Sequence, residues 1–107
     1  MTIIKALQEV RKLLRNDVYW TRHESARDAN GKFCRPDSPK ACQWCLEGAV
    51  VRVTNDDTYL RIQVIDALDQ TIDTHTDIPE FNDDYLTTHQ DVLNVINLTI
   101  KRVNDAN

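Results

Sequence analysis

The sequence predicts a mainly α fold: a compact four-helix domain with a short β-hairpin-like insertion after the first helix. Three observations lead there. Apolar residues recur at helical spacing in four separate stretches. Only two glycines and three prolines occur in 107 residues, too few tight turns for a small all-β barrel. An Asn30-Gly31 pair, the strongest short hairpin signal, falls between the first two helical stretches. The length fits a single domain over residues 1–107. Hydrophobic residues at 41% and charged residues at 28% suit a globular chain rather than a disordered one.

The first helix is expected over residues 2–15. Thr2 can cap it, and Ile3, Leu7, Val10 and Leu14 make its apolar stripe, widened by Ile4, Ala6 and Leu13. Residues 17–37 follow, with Ala26 to Asp28 and Lys32 to Cys34 predicted to pair around Asn30-Gly31. A ribbon of two strands is marginal alone and has to pack on the helices. Ser38-Pro39 reads as an N-cap followed by proline at the first helical position, so the second helix is expected to run from there to Val53. Gly48 inside that helix predicts a close helix–helix crossing at Gly48-Ala49. The third helix is expected over 57–73 on Leu60, Val64, Leu68 and Ile72. A polar loop over 74–86 then leads to a last helix near Thr87 or Thr88. Thr88 and Asp91 there resemble a capping box, and Val92, Leu93, Val95, Ile96, Ile100 and Val103 form the apolar face.

The net charge of −4 is unevenly spread. Residues 1–54 carry +4, residues 55–91 carry −9 and residues 92–107 carry +1. Such a division predicts a polarised surface that steers charged partners. The acidic interaction surface is expected on Asp66, Asp69, Asp73, Asp77, Glu80 and Asp84. Overall acidity argues against binding duplex nucleic acid. The first ten residues are interrupted by charges and offer no signal-peptide core, and no apolar run has the length of a membrane span. The expected location is therefore the cytoplasm, the host cell's if the chain is phage-encoded, and no membrane contact is expected. There the three cysteines are expected as thiols or ligands rather than disulfides.

Several constellations have residue types suited to chemistry. His23, Cys34, Cys42 and Cys45 provide four ligand types for zinc, with Cys42 and Cys45 at ligand spacing, but no second such pair follows. Cysteines on one helix face also fit small buried side chains, and that reading is preferred, with no metal and no cofactor expected. Cys34 or Cys45 would act as a nucleophile if His23, His75 or His89 came near. Asp77, Glu80, Asp83 and Asp84 match no calcium loop and read as caps of an acidic loop. Trp20 with Arg22, Arg27, Lys32 and Arg35 joins a ring to several cations, a set able to stack a base and pair with phosphate.

Taken in order, Trp20, Ala26-Arg27-Asp28-Ala29-Asn30-Gly31, Trp44-Cys45-Leu46-Glu47-Gly48-Ala49, Phe81-Asn82-Asp83 and Asp91-Val92-Leu93 resemble the pattern of an uncharacterised family of small actinobacterial and bacteriophage proteins. The resemblance spans about residues 18–103. It brings no activity. Of the cysteines only Cys45 matches it, which weakens zinc as a shared property. Its polar matches Arg27, Asp28, Asn82 and Asp83 sit in predicted loops, where a packing role is harder to argue.

The leading expectation is a non-catalytic accessory protein of a phage or mobile element. It would bind and modulate a host defence or regulatory protein through its acidic surface. The alternative is a protein that binds or sequesters a small nucleotide with Trp20, Arg22, Arg27, Asp28, Asn82 and Asp83, where the two polar loops would meet. An enzyme using Cys45 or the carboxylates ranks last. The strength of the apolar faces also leaves a homodimer open.

Overall fold

The computed structural model describes residues 1–72 and 75–106. Helix α1 (Ile3–Leu13) is capped by Thr2, whose hydroxyl accepts from Lys5 N–H at 3.0 Å. A 3₁₀ turn at Asp17–Tyr19 leads into strand β1 (Ala26–Arg27), which pairs antiparallel with β2 (Gln43–Trp44). Helices α2 (Leu46–Thr54), α3 (Thr58–Thr71), α4 (Ile78–Asp83) and α5 (His89–Asp105) follow.

The predicted stripes form the core. Ala6, Leu7, Val10 and Leu14 of the first segment are buried, as are Leu60, Val64, Leu68 and Ile72 of the third. Val92 and Ile96 come from α5. Helix α1 packs against α5 and α2, and α3 packs against α2 and α5. One polar link crosses this interior. Buried Thr99 donates to Val95 O at 2.7 Å within α5, and its oxygen lies 2.8 Å from Thr71 Oγ1 of α3. At the start of α5, Thr88 and Asp91 make the complete capping box the sequence suggests.

The hairpin forms where predicted. Gly31 takes a φ of 76°, Asp28 N–H donates to Lys32 O at 2.9 Å, and Arg27 bridges Phe33. Asp28 Oδ1 accepts from Asn30 N–H and Lys32 N–H at 2.9 and 3.0 Å, which fixes the turn. The ribbon gains a further strand on its other side, β2, and Trp44 of β2 in turn bridges Trp20.

That addition corrects the second helix. It begins at Leu46 rather than at Ser38-Pro39. Ser38 instead closes a turn: its hydroxyl accepts from Lys40 N–H and its carbonyl from Ala41 N–H, both at 3.1 Å. Serine followed by proline satisfies a turn as well as a helix start, because both need one side-chain acceptor and a fixed φ. Beyond it Cys42 N–H donates to Arg27 O at 2.9 Å, so the backbone is committed to the ribbon. Cys42 and Cys45 are therefore not on one helix face. Arg52, stacked 5.5 Å from the Trp44 ring, holds the turn through Pro36 O and Ser38 O at 3.1 and 2.8 Å.

Two further expectations are corrected. The 74–86 loop contains α4, capped by Asp77 with Pro79 in its first turn. The close approach at Gly48 is not to another helix. A Cβ there would lie 1.9 Å from Ser25 O, so the backbone just before β1 crosses α2 at this point. Asp73, part of the expected acidic surface, lies outside the described residues.

Candidate functional site

The two polar segments meet, and Asn82 is where they lock. It sits in α4, fully buried, and uses its whole amide. Its Oδ1 accepts from Trp20 Nε1–H at 2.7 Å and from Leu46 N–H at 2.9 Å. Its Nδ2 donates to Thr21 O at 3.1 Å and to Asp83 Oδ1 at 3.0 Å. One side chain thus ties the 3₁₀ segment, the start of α2 and α4 together. A buried amide with four partners is strongly determined, since any orphaned partner costs about 1–3 kcal/mol.

Around Asn82 the other predicted residues take fixed places. Trp20 is half-buried, with the Arg22 guanidinium 4.5 Å over its ring and the His89 ring centroid 6.0 Å away. His89 Nε2–H donates to Leu14 O at 2.6 Å, joining α5 to the end of the first helix. Arg22 donates to Thr87 O. Arg27 donates to Arg22 O and Gly31 O, each at 3.2 Å, and so braces the loop from within. Asp83 Oδ1 also accepts from His23 N–H at 2.8 Å, which holds His23 at a φ of 73°. Trp20, Arg22, Arg27, Asn82 and Asp83 therefore gather, with Asp28 further out in the hairpin turn. Their polar atoms serve largely one another and nearby carbonyls.

The zinc set is not assembled. Among the described residues no group of three or more His, Cys, Asp or Glu side chains is placed to hold a metal ion. Cys42 Sγ–H points at Arg27 O, 3.6 Å away. Cys45 caps α2, its Sγ accepting from Gly48 N–H at 3.2 Å. It lines a 140 Å³ cavity together with His23, Glu24, Glu47 and Asp83. Burial above all, then the charges of Glu47 and Asp83, push the Cys45 thiol pKa up, against the pull of the Gly48 and Glu47 N–H groups. Glu47 and Glu24 were not singled out in the sequence. Glu47 had a usable signal as an acid in the first turn of a helix, hidden by the misplaced start of α2.

The acidic residues spread over two helices and their caps. Asp66 and Asp69 lie on α3, while Asp77 caps α4 and Glu80 lies in its first turn. Asp84 follows α4 and accepts from Leu86 N–H at 2.9 Å. Burial first, then Asp77 and Asp69, raises the Glu47 carboxyl pKa. Burial, then Asp77 and Asp66, raises that of Asp69, while an Ile78 N–H bond opposes the rise. Among the described residues no lysine or arginine makes an ion pair with Glu47, Asp66, Asp69, Asp77, Glu80 or Asp84.

These features define a small helical domain whose loop-borne polar residues are built into its architecture. The chain belongs to DUF6197, a family of unknown function, whose model matches residues 1–102. No curated protein and no solved structure matches it. No helix among the described residues is long and apolar enough to cross a membrane.

Proposed function

We propose that this domain is a non-catalytic binding protein whose acidic side, around Asp66, Asp69, Asp77, Glu80 and Asp84, occupies a basic surface of a partner protein. The setting we propose is that of a phage or mobile-element accessory protein acting on a host defence or regulatory protein. The observation that carries the reading is that burial first, and then the nearby charge of Asp77, raises the carboxyl pKa of both Glu47 and Asp69, with no lysine or arginine paired to these three residues among the described residues. Carboxylates held together in this way disfavour the isolated domain, and a cationic partner relieves them. The test is a pulldown from a candidate host lysate at physiological salt. It compares the parent with a variant carrying Asp66→Asn, Asp69→Asn, Asp77→Asn and Glu80→Gln. A partner retained by the parent and lost by the folded variant supports the proposal. Recovery of no host protein, or equal recovery by both, counts against it.

The nucleotide reading rests on the convergence of the two loops. It has less in its favour, because the Trp20 ring is covered by Arg22 and its N–H is taken by Asn82. A thermal-shift panel of nucleotides separates the two readings. A nucleotide at 100 times its dissociation constant stabilises by about 2.7 kcal/mol.

A further inference from the structure

Two surface features have no role in the Asn82 lock, and they complement one another. The first is the turn between α4 and α5. Thr87 N–H donates to Asp84 O at 3.0 Å, and Asp84 Oδ1 accepts from Leu86 N–H at 2.9 Å. These bonds hold Tyr85 and Leu86 at the corner, where they are 85% and 70% exposed. Buried Thr87, with Arg22 donating to its carbonyl, anchors the turn from behind. Asp84, next to Tyr85, and Glu80, one helical turn earlier, are exposed and acidic. Apolar side chains held in this way lose little entropy on docking, and tyrosine is a favoured anchor.

The second is a groove of 270 Å³ between α1 and α2, lined by Glu9, Lys12, Leu13, Arg15, Arg52 and Val53. Half-buried Leu13 and Val53 supply its apolar part. Glu9 is paired with Lys5 at 3.1 Å. Arg15 donates to Lys12 O at 3.0 Å and lies 4.7 Å over the Tyr19 ring, while Arg52 donates to Pro36 O and Ser38 O. Both heads are therefore placed by neutral partners. Among the described residues no carboxylate pairs with Lys12, Arg15 or Arg52. Cations suit the carbonyl ends of α1 and α2, but those ends leave the apolar cleft between them open. His89, two residues beyond Thr87, bonds to Leu14 O at 2.6 Å and so joins the start of α5 to the end of α1. The turn and the groove thus lie toward one end of the domain.

We propose that the groove takes a second copy of this chain, in a two-fold dimer where the turn of each copy enters the groove of the other. Tyr85 and Leu86 cover Leu13 and Val53, and Glu80 and Asp84 meet Lys12, Arg15 and Arg52. Two-fold symmetry makes the contact twice. Small apolar contacts rimmed by exposed charge give weak association that salt loosens. The dimer needs no host component, so it stands or falls separately from the host-protein reading.

The experiment uses the purified full chain. Sedimentation velocity is run from about 10 µM to about 1 mM, at low salt and at about 0.5 M sodium chloride. The parent is expected to dimerise with rising concentration and less so in high salt. A turn variant, Tyr85→Ser with Leu86→Ser, and a groove variant, Lys12→Glu with Arg15→Gln, are each expected to associate roughly tenfold or more weakly. All four residues are exposed, and circular dichroism checks that both variants fold. The isotope-labelled turn variant, whose groove is intact, is then titrated with the unlabelled groove variant, whose turn is intact. Amide shifts are expected at Leu13, Arg15, Arg52 and Val53 of the labelled chain. A parent that stays monomeric throughout, folded variants that associate as the parent does, or a titration without shifts at the groove would each overturn the proposal.

Discussion

The α1–α3–α5 packing and the loop-bearing half of the molecule are held by different forces. In the first, Leu7, Val10, Val64, Leu68, Val92 and Ile96 bury apolar surface, which has no preferred direction and lets neighbours repack. In the second, Trp20, Arg22, Arg27, Asp83 and Asn82 are joined by hydrogen bonds with fixed partners, many of them backbone carbonyls. The difference teaches where sequence is free to vary. A stripe needs only apolar residues of about the right volume, whereas the lock needs these atoms at these positions.

The largest effect expected from breaking this contrast is at Gly48. Its added Cβ would collide with backbone, not with a side chain that can swing away. Gly48→Ala is expected to destabilise by about 3 kcal/mol or to prevent folding, measured by urea denaturation. Asn82→Leu comes next. It keeps the volume but orphans Trp20 Nε1–H, Leu46 N–H and Thr21 O, with an expected loss of about 3 kcal/mol. Leu68→Met in the helical core is the matching control, at less than about 1.5 kcal/mol. If the two cost the same, the contrast between the halves fails. Thr88→Ala removes half of the capping box and is expected to cost about 1 kcal/mol.

The smallest effect has the opposite sign. Folding raises the Glu47 carboxyl pKa, so the folded form keeps that proton to higher pH than the unfolded form. Stability from this group therefore falls as pH rises above the unfolded value of about 4.3. Glu47→Gln is expected to melt above the parent at pH 7 and level with it below about pH 4, followed by thermal unfolding across that range.

The helical core was legible because its signal is local. Apolar residues spaced for one helix face, as in Leu60, Val64, Leu68 and Ile72, report burial directly. The Asn30-Gly31 turn was legible for the same reason. The lock was not, because its bonds span 62 residues from Trp20 to Asn82 and 36 from Leu46 to Asn82. The sequence pattern placed Arg27, Asn82 and Asp83 among polar loop residues without saying that they face inward. Ser38-Pro39 misled because a turn and a helix start share that signature, and only the pairing of β2 with β1 decides between them. Helix α4 did carry a readable sign. Asp77-Ile78-Pro79-Glu80 places a cap, an early proline and an acid in the order a helix start uses.

The hairpin tip has a practical consequence. Asn30 and Gly31 are exposed, and a Cβ on Gly31 would meet nothing within 4 Å. The turn is closed from its stem by Asp28, and Arg27 reaches the tip only through Gly31 O. A short epitope or fluorophore-bearing peptide spliced between these two residues would extend into solvent and leave Asn82 and its partners untouched. That makes the tip a grafting port, through which the domain can be tagged internally and followed in a cell with both chain ends left as they are.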